Sequence, residues 1–294
     1  MGDSEIIDRR GRFQRVIEFP LVAMLLALAL FIAIPGTVAG LLEILFRAYP
    51  VLDSTVINQL IVSIAMVLTY KLFIRHLGAE PRDDLAGPGA VRQTSAGLAI
   101  ALVLFAAIVA VAALLGVYRL QGPGDAHFLL PALVLAGLFP AVSEEILFRG
   151  ILFRWIEEFA GTWPALIISS LLFGASHLAN PNASPVAVIG IALEGGLLLG
   201  GAYMLTRRLW LPIGIHAAWN LSQGEIFGIP VSGKPVDGLL DARLTGPPPL
   251  TGNGFGLEAS PIAISIGTLC AAVLMARAVR AGRLVKPAWF RSVA

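Results

Sequence analysis

Charge is what this chain has least of. Only 14% of its 294 residues are Asp, Glu, Lys or Arg, while 57% are hydrophobic and the mean hydropathy is +0.82. Soluble domains carry roughly a quarter charged residues. A chain so composed cannot cover itself with a solvated surface, which excludes an ordinary soluble domain and implies several helical membrane spans. Cysteine is reduced to Cys270, so no intrachain disulfide can form and the redox compartment leaves no trace. Neither sign of charge dominates: a formal net charge of +2 gives no basis for a nucleic-acid partner or an acidic one. No repeat of 20–50 residues marks a solenoid.

What the chain does have is apolar runs near the ~20 residues that cross a bilayer. They fall at about 17–46, 54–75, 94–117, 127–154, 162–178, 184–206, 209–225 and 261–281. Eight crossings from a cytoplasmic N-terminus put 17 of the 21 Lys and Arg inside, leaving Arg47, Arg119, Lys234 and Arg243 outside. This positive-inside bias supports an all-α polytopic membrane bundle of about eight transmembrane helices with both termini cytoplasmic. Arg9, Arg10, Arg12 and Arg15 ahead of the first run resemble the start of a signal peptide. The run from Val16 to Phe46 far exceeds the ~7–15-residue core of such a signal, so an uncleaved first span is expected.

The chain divides into helices 1–3 over residues 1–126, a core of helices 4–7 over 127–225, a Gly- and Pro-rich external loop over 226–260, and a last helix with a basic tail over 261–294. Residues 78–93, with Pro81, Pro88 and two Asp, form a polar cytoplasmic connection. The external loop, which contains Pro247-Pro248-Pro249, is expected to be ordered or semi-ordered. It has too few periodic apolar positions to fold as a second domain. The expected setting is the cell membrane, crossed several times, with the lipid bilayer as first partner.

Against this background Glu144, Glu145 and Arg149 stand out, three ionisable residues within six. Each costs about 2.5–3.5 kcal/mol at membrane depth on insertion scales, and such groups persist where they pair or line a wet cavity. On a helix, Glu145 and Arg149 are i,i+4 neighbours with the acid N-terminal, the favoured order for an ion pair. Glu144 points about 100° away. One carboxylate can thus be neutralised locally while the other is left to work as a general base. Pro140 and Ser143 imply a kink or a fresh helix start just before the pair. Glu194 puts a further carboxylate at depth; it either pairs with a buried cation such as Arg149 or edges a polar cavity. Gly196 and Gly200 in the same run have the spacing of close helix packing.

Of the four histidines, His76 and His127 fall at helix ends and read as solvated. His177 closes Phe173-Gly-Ala-Ser-His177, and His216 opens His216-Ala-Ala-Trp-Asn220, where His and Asn share a helical face. Singly, each reads as a hydrogen-bonded interhelical group; beside Glu144 they read as a constructed site. Two His and a carboxylate are also a catalytic zinc set, so Glu144, His177 and His216 form an alternative metal site. No H-E-x-x-H is present to place both His on one face. At ~1.5 Å per residue, straight helices would leave His177 and His216 more than about 10 Å apart in depth. Tilted helices or a connection dipping into the membrane would have to close that gap.

The ordered set Glu144-Glu145-x-x-x-Arg149, Phe173-x-x-x-His177 and His216-x-x-x-Asn220 resembles the prenyl-protein endopeptidases and bacteriocin-processing enzymes of the CPBP, or Abi, family, over residues 127–225. The eight-span count agrees with that family's fold. The external loop, with Phe227-Gly-Ile-Pro-Val-Ser-Gly and Gly254-Phe-Gly-Leu-Glu-Ala-Ser, resembles bacterial members, which implies a bacterial inner or plasma membrane. The resemblance implies peptide-bond hydrolysis of membrane-embedded or lipidated proteins or peptides, without a cofactor. By motif, Glu144 and His177 would hold and deprotonate the attacking water, and His216 and Asn220 would donate to the oxyanion. Glu145, Arg149, Phe173 and Glu194 would support them. Two other functions stay open: a non-catalytic bacteriocin-immunity or partner-binding membrane protein, and a proton-coupled transporter relaying through Glu144, Glu145 and Glu194. The lack of an inverted repeat weakens the last.

Overall fold

The computed structural model describes residues 11–49, 54–124 and 129–290; Arg9, Arg10, His127 and Arg291 lie outside them. A short helix, α1 (Arg12–Glu18), leads into α2 (Pro20–Ala48), followed by α3 (Thr55–Leu72) and α4 (Ala90–Leu114). A strand, β1 (Tyr118–Pro123), precedes one unbroken helical rod over residues 129–160, α5. Then come α6 (Thr162–Ala175), α7 (Pro185–Thr206) and α8 (residues 210–226). A second strand, β2 (Leu240–Leu244), precedes α9 (Pro261–Arg280).

Local chemistry sets several of the helix starts. Ser54, Ser184 and Ser260 each accept a backbone N–H three residues on, and Pro185 and Pro261 occupy the first helical position, where a missing N–H costs nothing. Each of the eight apolar runs coincides with one of α2 to α9. Among the described residues five helical stretches are long and apolar enough to cross a bilayer: Pro20–Ala48, Thr55–His76, Ala90–Leu114, Pro185–Thr206 and Pro261–Arg280. The chain is a helical membrane protein.

Two close approaches fix the bundle around the later site. Gly97 of α4 lies against the backbone of α8: a Cβ there would come within 2.5 Å of Leu211 O and 2.7 Å of Ile215 N. Gly196 and Gly200 of α7 face α6, where a Cβ would meet Ser170 Cβ at 2.7 Å and Leu166 Cδ1 at 2.5 Å. The G-x-x-x-G spacing therefore does serve packing.

Pro140 does not start a new helix. Instead α5 runs through it, with wider π-helical turns at Leu133–Leu138 and Ile146–Phe153. Similar turns occur at Ala192–Gly196 in α7 and Ser222–Ile226 in α8. Such turns are rare and gather at functional sites.

The 77–89 connection is tightly bound to the bundle. Asp84 is fully buried, paired with Arg82 at 2.8 Å and accepting from Tyr203 Oη at 2.8 Å. Arg154 donates to the carbonyls of Arg82 and Glu80 at 3.2 and 3.1 Å. At the opposite end β1 and β2 pair antiparallel, Tyr118 against Leu244, with a bulge at Gln121. Among the described residues this sheet is the only strand pairing of more than a single bridge, and it makes the external loop an ordered wall.

Candidate active site

The site begins with one ion pair. Glu145 and Arg149 are both wholly buried, and Arg149 Nη1 donates to Glu145 Oε1 at 2.9 Å, one helical turn apart as their spacing requires. Nη2 of the same guanidinium donates to Gly196 O at 3.1 Å and Gly195 O at 3.4 Å in the π turn of α7. Arg149 therefore takes the carbonyls next to Glu194 rather than its carboxylate, so of the two expectations for Glu194 the ion pair is not formed and the cavity edge is. The guanidinium also stands 4.6 Å from the centroid of the Phe173 ring.

Phe173 joins the pieces. Its ring is edge-on to Phe148 at 5.1 Å and to His216 at 5.9 Å, and tilted to His177 at 5.2 Å. His177 and His216 thus flank one aromatic ring. Two features bear on their depth. α6 has only 14 residues, and the α7–α8 connection is drawn inward, with Leu209 fully buried and its N–H given to Asp84 O.

The imidazole tautomers follow from their partners. His177 Nδ1 is 2.9 Å from Phe173 O, which only accepts, so Nδ1 carries the hydrogen and Nε2 is the free nitrogen. His216 Nδ1 donates to Glu145 Oε1 at 2.9 Å, leaving Nε2 3.9 Å from Glu144 Oε2. Glu145 thus serves Arg149 on its own helix and His216 on another. Asn220 donates through Nδ2 to Ala136 O at 3.1 Å. Pro140, four residues after Ala136, has no N–H to give that carbonyl, and the Asn amide takes its place. Glu144 differs from its neighbour in exposure: its side chain is 30% exposed where that of Glu145 is wholly buried.

These groups share one cavity of about 570 Å³. Glu144, Phe173, His177, Glu194, His216 and Asn220 all line it, among apolar side chains such as Leu147, Ile191 and Leu198. Residues not singled out in the sequence line it too. Ser232 and Lys234 come from a tight turn of the external loop, and Glu258 from just before α9. The turn is fastened at several polar points. Ser232 N and Oγ donate to Glu258 Oε2 at 2.7 and 3.0 Å, Asn180 Nδ2 donates to Ser232 O at 3.1 Å, and Gly233 N donates to Phe255 O. Gly233 has φ +83° and a Cβ there would fall 1.8 Å from Pro181 O, so only glycine fits. One signal for Glu258 did exist: it is a lone carboxylate between apolar Leu257 and α9. Among the described residues no three His, Cys, Asp or Glu converge as a ligand set for a metal ion.

A helical membrane bundle here gathers a carboxylate, two imidazoles and an amide around one partly apolar cavity. Residues 126–222, about a third of the chain, match the family model for type II CAAX prenyl endopeptidase Rce1-like domains. The family matched over this stretch is one of endopeptidases, hydrolases acting on peptide bonds. No curated protein and no solved structure matches the chain.

Proposed function

We propose that the chain is a multi-pass endopeptidase of the cell membrane that cleaves membrane-associated, including lipidated, peptides with Glu144 as general base. The observation that carries this is the Glu144 side chain, 30% exposed where Glu145 is wholly buried, on the wall of the cavity it shares with His177, His216 and Asn220. Water held between Glu144 and His177 Nε2 gives a proton to the Glu144 carboxylate as its oxygen attacks the peptide carbonyl carbon. The C–N bond then breaks, and Glu144 returns the proton to the departing amine nitrogen, so that base and acid are the same group at successive steps. Such a group contributes about 10²–10⁴-fold.

The oxyanion faces His216 and Asn220. To donate there, His216 has to carry hydrogen on Nε2 as well as Nδ1, with Glu145 and Glu144 as its counter-charges. Asn220 uses one amide hydrogen on Ala136 O and has a second for the oxyanion. A lost oxyanion donor typically costs about 10²–10³-fold in rate. Glu145 and Arg149 orient His216, and no step needs a metal.

The test is cleavage of membrane-anchored peptides in vesicles by wild type and Glu144→Ala, with and without a chelator. Wild type should cleave, the variant should lose about 10³-fold or more, and the chelator should change neither. Equal rates in both proteins would remove Glu144 from the reaction.

A further inference from the structure

Glu194 is the buried group that the hydrolytic reaction leaves unused. It is 1% exposed, sits in the π turn of α7 and lines the same cavity as Glu144 and His177. Its Oε2 is sealed off and takes no hydrogen bond among the described residues. The nearest buried cation, Arg149, is committed to Glu145 and to the carbonyls of Gly195 and Gly196. α9 makes room for the carboxylate rather than answering it, since a Cβ on Gly267 would come within 2.8 Å of Glu194 Cβ. The charged neighbour that acts on Glu194 is another carboxylate, Glu258, whose Oε2 is already engaged by Ser232.

The cavity is thus lined by three carboxylates, Glu144, Glu194 and Glu258, with two imidazoles and one exposed lysine, Lys234. His177 acts on Glu258 and His216 faces Glu144, which leaves Glu194 as the carboxylate that none of them answers. A buried carboxylate without a partner is expensive, and a polar group left in that state calls for something that enters. Apolar Ile191, Leu198 and Leu199 line the same cavity. A long methylene stem ending in a cation suits that combination, because lysine and arginine lay their stems on apolar surface while the head finds charge. The arginine fork matches a carboxylate in two places at once.

We propose that Glu194, backed by Glu258, is an acidic subsite that receives a basic side chain, arginine or lysine, of the peptide being cleaved. The proposal deepens the endopeptidase reading above and rests on it for the identity of the ligand as a peptide. Glu194 is a specificity residue: it touches the substrate away from the scissile bond and takes no part in proton transfer.

Binding tests it separately from turnover. In detergent, the Glu144→Gln protein is titrated with fluorescent membrane-soluble peptides that differ at one position, carrying arginine, lysine, norleucine or glutamate, with that position scanned along the peptide. At one position arginine and lysine should bind about ten-fold or more tighter than norleucine, and adding Glu194→Gln should bring that ratio to within about two-fold. Should the double variant fold poorly, Glu258→Gln provides the second reading, with a reduced ratio expected. Wild type alone provides a third: its thermal midpoint should rise more with n-octylguanidinium than with n-octanol.

Equal or absent binding of the arginine and norleucine peptides at every position would mean that Glu194 holds only a proton, and would overturn the proposal. An arginine preference that survives Glu194→Gln would overturn it as well. If Glu194-dependent selectivity is found while wild type cleaves none of the peptides, the subsite stands and the endopeptidase reading falls. If wild type cleaves with no basic preference at any position, the endopeptidase reading stands and the subsite falls.

Discussion

Arg149 holds three acceptors and one aromatic face inside the bundle, and its removal separates stability from chemistry. Arg149→Leu leaves Glu145 buried beside His216 without its cation, and breaking a buried pair typically costs about 3–5 kcal/mol. Replacing both partners by apolar residues is often close to neutral, so Glu145→Leu/Arg149→Leu should recover much of the lost thermal midpoint. It should not recover peptide cleavage, because Glu145 also fixes the Nδ1 hydrogen of His216. A double variant that regained both would show that Glu145 does not position His216. At this scale the sequence was most informative where partners are close in the chain. The Glu145–Arg149 pair follows from i,i+4 spacing alone. The bond from Glu145 to His216 spans 71 residues and depends on how α5 and α8 meet, which no local pattern encodes. Glu258 was missed for the same reason: its partners, Ser232 and the cavity, lie across a loop with no period to read.

Helix α8 carries both His216 and Asn220, so whatever sets its distance from α4 sets the site. Gly97→Ala would drive a methyl group into the backbone of α8, where no side chain can rotate away. Overpacking of this kind costs about 1–3 kcal/mol, and the expected outcome is a lower thermal midpoint together with a fall in kcat for any cleaved peptide. Unchanged kcat in a folded Gly97→Ala protein would uncouple the α4–α8 contact from the site. Hydropathy marked α2 to α9, because long apolar runs leave few alternatives. It could not mark the π turns or the β1–β2 pairing. Both depend on tertiary partners: Gly195 and Gly196 carbonyls taken by Arg149, and strands more than a hundred residues apart.

For the whole molecule, polar bonds tie down the two ends of the bundle by different means. The 77–89 connection is held by charge. Burial alone would raise the Asp83 carboxyl, but the hydrogen bond and charge of Lys71, the Leu85 N–H and the charge of Arg75 outweigh it and hold the group below its usual value of 3.8. A carboxyl depressed by folding stabilises the fold above its unfolded value and loses that contribution as pH falls through the folded one. Thermal midpoints should therefore drop as pH is taken below about 3.8, and Asp83→Asn should flatten that part of the curve. An identical acid profile in both proteins would remove Asp83 from the linkage. The opposite end is held instead by the β1–β2 pairing and by hydrogen bonds from one turn, and that turn lies beyond residue 222, where the family match stops. The proposed catalytic groups and Glu194 thus lie inside that match, while Ser232, Lys234 and Glu258, which share their cavity, are written in a separate stretch of the gene. Exchanging residues 227–260 between relatives should change part of the diet while leaving the teeth in place.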